Sequence, residues 1–361
     1  MRSVKDERTC SSCNEILHGD VLKVCGMIVL IAAIILGNVV SLLVFLGSKR
    51  FRTPQGYLKA SLALADLAVG VLVVPYSAYR EIAILLQEKD CNEIIPTAVW
   101  RFHPCHVIGP VFAGCTFVSI TTIFLLCIER SITVLKPLHK NLMVTKKRTI
   151  ALIAFSWLMC FFLAVVPLLF SQDIRLHYSP CSKMCNYAFS TRESARTGTG
   201  WNVMLIFPTF DFSLLGGTFV INLITFGALR QFSKVRKQLA QPKVQGISNR
   251  PSFSDIKAAK TIAILTVSFS ACFGPIAVFV VGSVLGYQWC EFSFYAFWIL
   301  TSNSCWNVVI YSARDRKFRQ RTRELFFGKV LKSKRRCPGS NAGSPGHCVA
   351  VLKEILHREC A

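Results

Sequence analysis

Glu129 and Arg130 stand side by side where an apolar run gives way to a basic segment, in CIERSITVLKPLHK (residues 127–140). An acid and a base at such a seam can be solvated by snorkelling, or can form a breakable lock at a helix end. A second polar set lies inside the apolar runs: Asn38 in ILGNVV, Asp66 in LALADLAVG, Ser119, and Asn303, Ser304 and Asn307. A carboxylate with hydroxyls and amides at similar depth can cage a monovalent cation with water, or can tie helices together by hydrogen bonds. Residue types alone leave both readings open. Asp211, in FPTFDFSLLGG, is a further acid in apolar surroundings. It has three open outcomes: a hydrogen bond within the protein, an anchor for a cationic ligand, or a contact with another chain. Catalysis lacks its parts, because the histidines fall in loops or tails and no nucleophile–base pair occurs at matched depth. Cys10-x-x-Cys13 has no partner pair for a metal cluster, so the expected cofactor is none, with a sodium ion in the polar set as the exception.

The elements that must position these groups follow from composition. Of 361 residues, 52% are hydrophobic and 17% charged, against roughly a quarter charged in soluble domains, and the mean hydropathy is +0.46. Crossing about 30 Å of hydrocarbon takes roughly 20 apolar residues in a helix. Seven such runs occur, near 24–46, 58–86, 107–134, 149–170, 201–229, 261–285 and 292–312. Of the 42 Lys and Arg residues, 30 fall on one side of these runs, so that side is expected to be cytoplasmic and the N-terminus outside. The formal charge of +23 is then mainly an inner-leaflet feature facing membrane lipids; nucleic-acid binding would need a basic face on a soluble domain. Residues 1–20 are polar without an apolar signal core, and no Asn-x-Ser/Thr sequon is present. The expected organisation is an extracellular N-terminus at 1–22, a seven-helix domain at 23–313, an amphipathic cytoplasmic helix at 314–328 and a tail at 329–361. The fold class is an all-α membrane protein. Sixteen cysteines divide among an outer set (Cys10, Cys13, Cys91, Cys105, Cys181, Cys185 and Cys290), six within the runs, and three in the tail. In the oxidising outer compartment disulfides persist, and an odd number leaves at least one unpaired.

Taken together, Asn38, LALAD with Asp66, Cys105 opening the third run, Glu129–Arg130 closing it, Trp157 in the fourth, CFGP in the sixth and NVVIY in the seventh resemble a rhodopsin-like (class A) G-protein-coupled receptor over roughly residues 22–327. The resemblance carries a distant likeness to amine receptors. It implies a multi-pass plasma-membrane receptor whose partners are an extracellular ligand and a heterotrimeric G protein, with arrestin and receptor kinases as further partners. Glu129, Arg130, Asp255 and Tyr311 would form the switch released when the sixth helix swings outward. Asn38, Asp66, Ser119, Asn303, Ser304 and Asn307 would form the sodium network. Cys105 would bridge to Cys185 or to Cys181, with Cys185 favoured.

By offset from Arg130, Pro275 and Asn307 the ligand pocket would draw Phe112, Ala113 and Thr116 from the third helix; Asp211 of the fifth, which no family signature explains, is a further candidate. The sixth would supply Phe273, Ile276, Ala277 and Val280, and the seventh Phe297, Trp298 and Thr301. Phe112 occupies the place of the carboxylate of amine receptors and Thr301 that of the retinal lysine of opsins, which disfavours both ligand types. Lipids, other small molecules and peptides remain open. The chain departs from the family pattern at Phe273 for Trp, Val308 for Pro, Ser131 for Tyr, and in the fifth helix, where Pro208 is early and Asn222 stands where Tyr falls. A multi-helix transporter or channel is the alternative; it would need repeated halves around a midplane site, and no repeat is visible.

Overall fold

In hydrocarbon each backbone N–H and C=O must find its partner within the protein, so apolar runs of this length are committed to helix. The computed structural model describes residues 3–89, 104–136, 144–170, 174–189, 205–238, 253–284, 287 and 289–335, with side chains described at all of these except 3–18, 87–89, 188–189, 232–238, 253–259, 284 and 327–335. Its helices are α1 (Ser3–Gly47), α2 (Pro54–Ala68), α3 (Val74–Lys89), α4 (Cys105–Leu135), α5 (Lys146–Phe170), α6 (Ile206–Gln238), α7 (Phe253–Val284), α8 (Cys290–Arg314) and α9 (Arg316–Arg335). A π-helical turn, Val69–Val73, joins α2 to α3, making one rod. Pro75 follows it; a proline has no N–H to give the preceding turn, and a wider turn absorbs the mismatch.

Among the described residues the seven membrane rods are thus α1, α2 with α3, α4, α5, α6, α7 and α8. Six are long and apolar enough to cross a bilayer by length and composition, from Gly19–Gly47 to Lys260–Ser283. α8 has the length but not the apolarity, because Thr301, Ser302, Asn303, Ser304 and Asn307 crowd its middle. The fifth rod begins at Ile206, and residues 201–204 of the expected run lie outside the described residues. Helix α1 continues back to Ser3, through the segment expected as the extracellular N-terminus.

The all-α expectation holds, and one loop adds a short pair of strands. The loop between α5 and α6 contains an antiparallel hairpin, β1 (Ile174–Ser179) with β2 (Met184–Phe189), in the register Leu176 opposite Tyr187 and Ser179 opposite Met184. Ile174 and Leu176 are buried between exposed Arg175 and His177, the period-two alternation of a half-buried strand. Helix α4 takes the middle of the bundle, packing on α2, α5, α6 and α7, and the hairpin rests on it.

Local signals fix where rods begin. Thr53 caps α2, its hydroxyl accepting the N–H of Gly56 at 3.1 Å, with Pro54 at the first helical position. A Cβ on Gly56 would stand 1.8 Å from the Phe51 carbonyl oxygen, so the chain closes on itself there only with glycine. Gly70 likewise admits Ile34 of α1 against the α2–α3 rod.

The chain divides into Met1–Arg314 and Asp315–Ala361. In the second unit the Asp315 carboxylate accepts the N–H groups of Lys317 (2.9 Å) and Phe318 (3.2 Å), capping α9. This helix runs from Arg316, and farther than the 314–328 expected from sequence. Its repeated Arg and Lys among Phe318, Leu325 and Phe326 suit an interfacial helix.

Candidate functional site

Asn38, Asp66, Ser119, Asn303, Ser304 and Asn307, singled out in sequence, converge in the middle of the bundle. Asp66 is 1% exposed, and its Oδ2 accepts a hydrogen bond from the Asn307 amide at 2.8 Å. Ser304 and Ser119 stand around the same carboxylate, in the lining of one cavity with it. Asn38 donates from its side-chain amide to the backbone carbonyls of Ser304 (2.9 Å) and Ile34 (3.0 Å), fastening α1 to α8. Asp66 lines a narrow cavity, the rest of whose polar lining is supplied by Ser119, Thr116, Thr301, Asn303 and Ser304. A carboxylate and several neutral oxygens around such a space are hard ligands of the type a monovalent cation takes.

Of the expected ligand residues, Phe112, Thr116 and Thr301 line this cavity. The others are not among its lining residues. Phe297 lies 6.2 Å from Phe112, ring to ring; Phe273 stacks on Phe269 at 5.9 Å, and Ile276 is buried. Ala113, Ala277 and Val280 are half-buried. Asp211 does not line the cavity: it is buried in electrostatic reach of the Cys160 thiol of α5, and its Oδ1 has no hydrogen-bond partner among the described residues.

At the C-terminal end of α4, Arg130 Nε lies 3.0 Å from Glu129 Oε2, and the guanidinium also donates to the Gln55 side-chain oxygen of α2. Both members of the pair are buried. Tyr311, expected in the same switch, packs its ring on Phe45 at 5.5 Å and beneath the Lys59 ammonium at 4.7 Å. Asp255 falls in the first turn of α7, where side chains lie outside the described residues. Asn222, which replaces the usual tyrosine, donates to Thr266 Oγ1 at 3.0 Å and so joins α6 to α7. Cys127 Sγ is 3.8 Å from the same hydroxyl, bringing in α4.

The hairpin end of the bundle holds what sequence reasoning missed. Cys105 is bonded to Cys185, and a second disulfide joins Cys181 to Cys290. Both extra cysteines were visible in the outer set; nothing in their spacing paired them. Between the two bridges the hairpin turn is pinned down. Trp298 Nε1 donates to the Ser182 carbonyl at 3.0 Å, and Met184 is fully buried, its sulfur 4.0 Å from Thr301 Oγ1. Lys183 Nζ lies 2.6 Å from Glu81 Oε2, and the Tyr178 hydroxyl donates to Glu81 Oε1 at 2.7 Å. Burial first, then the Glu81 carboxylate, pushes the Tyr178 phenol up, so it stays a donor.

Seven membrane rods, a disulfide-held hairpin over one end and a buried acid–arginine pair at the other define a seven-helix membrane receptor. The family model described as "7 transmembrane receptor (rhodopsin family)" matches residues 37–311, and the chain belongs to this family of G-protein-coupled receptors. Its relatives include adenosine receptor A2a of Canis lupus familiaris, 26% identical over 88% of this chain and 74% of the relative, and adenosine receptor A2b of Gallus gallus, 26% identical over 82% and 85%. The histamine H2 receptor of Cavia porcellus is 25% identical over 83% of this chain and 78% of that one. A multi-pass plasma-membrane location, an extracellular ligand and coupling to G proteins follow from the family, which is one of receptors, not enzymes; the transporter reading has no support.

Proposed function

We propose that this receptor passes its signal inward by releasing Arg130 from Glu129 and Gln55 as the cytoplasmic end of α7 moves outward, exposing the guanidinium to a G protein. The observation that carries this reading is the buried Glu129–Arg130 pair at the C-terminal end of the central helix. A buried charge pair of this kind is stable while both partners stay in place and costly once one is withdrawn, which makes it a two-state element. Asp255 is a second restraint on the same arginine, in the position the family uses for it. The lysines and arginines gathered on one side of the rods support an N-terminus outside. The same charge pattern supports an inner-leaflet role for the basic residues of α9, and receptor kinases and arrestin are the further partners we propose.

The Asp66 cage binds sodium in the inactive state, with Ser119, Asn303, Ser304 and Asn307 as its neutral surroundings and Asn38 fastening Ser304 in place. The cavity that Asp66 lines, with Phe112, Thr116 and Thr301 in its wall, forms the floor of the ligand pocket, and a small molecule is the ligand class. Adenosine and histamine receptors among the relatives support that choice of size. Helix movement is tested by site-specific spin labels at Leu135 of α4 and Lys260 of α7. On adding G protein the separation should lengthen by several ångströms, and an unchanged distance with the G protein bound would contradict the reading.

A further inference from the structure

Glu81 of α3 takes no part in the sodium cage or the arginine lock, yet it is 4% exposed and both of its oxygens are engaged. Its partners come from the hairpin: Tyr178 donates to one oxygen, and the Lys183 ammonium sits against the other. Lys183 is also the one non-glycine residue, among the described residues, with a positive φ, 57°. A lysine gains nothing locally from the left-handed region, so its surroundings must hold it there. They do so on both sides, through Cys181–Cys290 and the Trp298 bond to Ser182 before it and through Met184 and Cys105–Cys185 after it. An exposed loop lysine would keep its ammonium in water; this one has an 18% exposed side chain and a carboxylate to meet it. The Tyr178 ring is set by Tyr76 edge-on at 6.3 Å and by the Arg80 guanidinium 5.2 Å from its centre.

We propose that Glu81 and Tyr178 form an ammonium-recognition site at the mouth of the bundle, and that Lys183 is its resident, a tethered cation that a free alkylamine must displace. The proposal rests on the receptor reading and adds the class of ligand, a primary amine held from α3 instead of from the Phe112 position. A side chain on so short a tether competes at an effective concentration on the order of millimolar. Free amine therefore binds weakly until Lys183 leaves.

The test uses n-butylammonium, which copies the lysine side chain, on purified full-length receptor followed by thermal unfolding. Removing the tether in Lys183→Ala should lower the unfolding temperature, and butylammonium should restore it saturably, at a midpoint about tenfold or more below that in the wild type. Lys183→Met, which keeps the aliphatic stem, serves as the second variant. Neutral n-butanol should restore nothing, and Lys183→Ala combined with Glu81→Gln should lose the response. Equal midpoints in wild type and both Lys183 variants, no response in either variant, or a saturable response that survives loss of Glu81 would each overturn the proposal. Nucleotide exchange on the same samples separates the two claims: lost coupling with intact amine rescue sinks the receptor switch and leaves the ammonium site standing.

Discussion

Asp66 and Asp211 are both carboxylates inside the membrane, and their surroundings set them apart. Asp66 has an amide directed at it and two serines with it in the lining of one cavity, whereas Asp211 has an Oδ1 with no hydrogen-bond partner among the described residues. The first arrangement suits a bound cation, and the second is a cost. Wild-type receptor should therefore unfold at higher temperature in sodium than in a larger monovalent cation, by a stabilisation on the order of 1 kcal/mol at a few times Kd. Asp66→Asn should erase that difference; a wild type indifferent to the cation would remove the site. Asp211→Leu should raise stability by about 1–3 kcal/mol, since it deletes a buried acceptor left unmade. A fall in unfolding temperature would show that the carboxylate has a partner after all.

Elements show which features could be read beforehand. All seven rods were legible, because roughly 20 apolar residues in hydrocarbon have one regular structure open to them, and the Asp66–Asn307 and Glu129–Arg130 pairings followed from family position. The hairpin was not. Its strands are six residues each, and its burial depends on Gly109, where a Cβ would stand 2.5 Å from Leu176, a contact across distant sequence. Glu81 was passed over for the same reason: it lies near the outer end of a long run, and only the folded hairpin supplies its lysine. Substitution at the fifth helix has a similar outcome, with Asn222 reaching Thr266 by a side-chain amide where the family uses a phenol. At the start of α2, Gly56→Ala drives a Cβ into the Phe51 carbonyl and should cost about 1–3 kcal/mol. Thr53→Ala removes a cap bond alone and should cost about 1 kcal/mol. Thermal unfolding should rank Gly56→Ala as the worse of the two; a neutral Gly56→Ala would mean that the turn opens freely.

On the scale of the whole molecule, polar groups sit at three levels of one apolar bundle: an ammonium–carboxylate pair at the hairpin end, a carboxylate with its amide partner in the middle and an acid–arginine pair at the opposite end. Helix α4 runs past all three, from Cys105 to Leu135, and it carries the disulfide, the cavity wall and Arg130 in turn. A rigid central rod with rods on several sides lets occupancy at one level bias packing at another, provided the acid–arginine pair has two states. The most direct test of that is nucleotide exchange by purified G-protein heterotrimers of each class, mixed with receptor in lipid nanodiscs. Asp255→Ala, freed of one restraint, should accelerate exchange above wild type for at least one class, while Arg130→Ala, folded and at equal amount, should match empty nanodiscs. No acceleration by either wild type or Asp255→Ala with any class, or acceleration by Arg130→Ala equal to theirs, would contradict it.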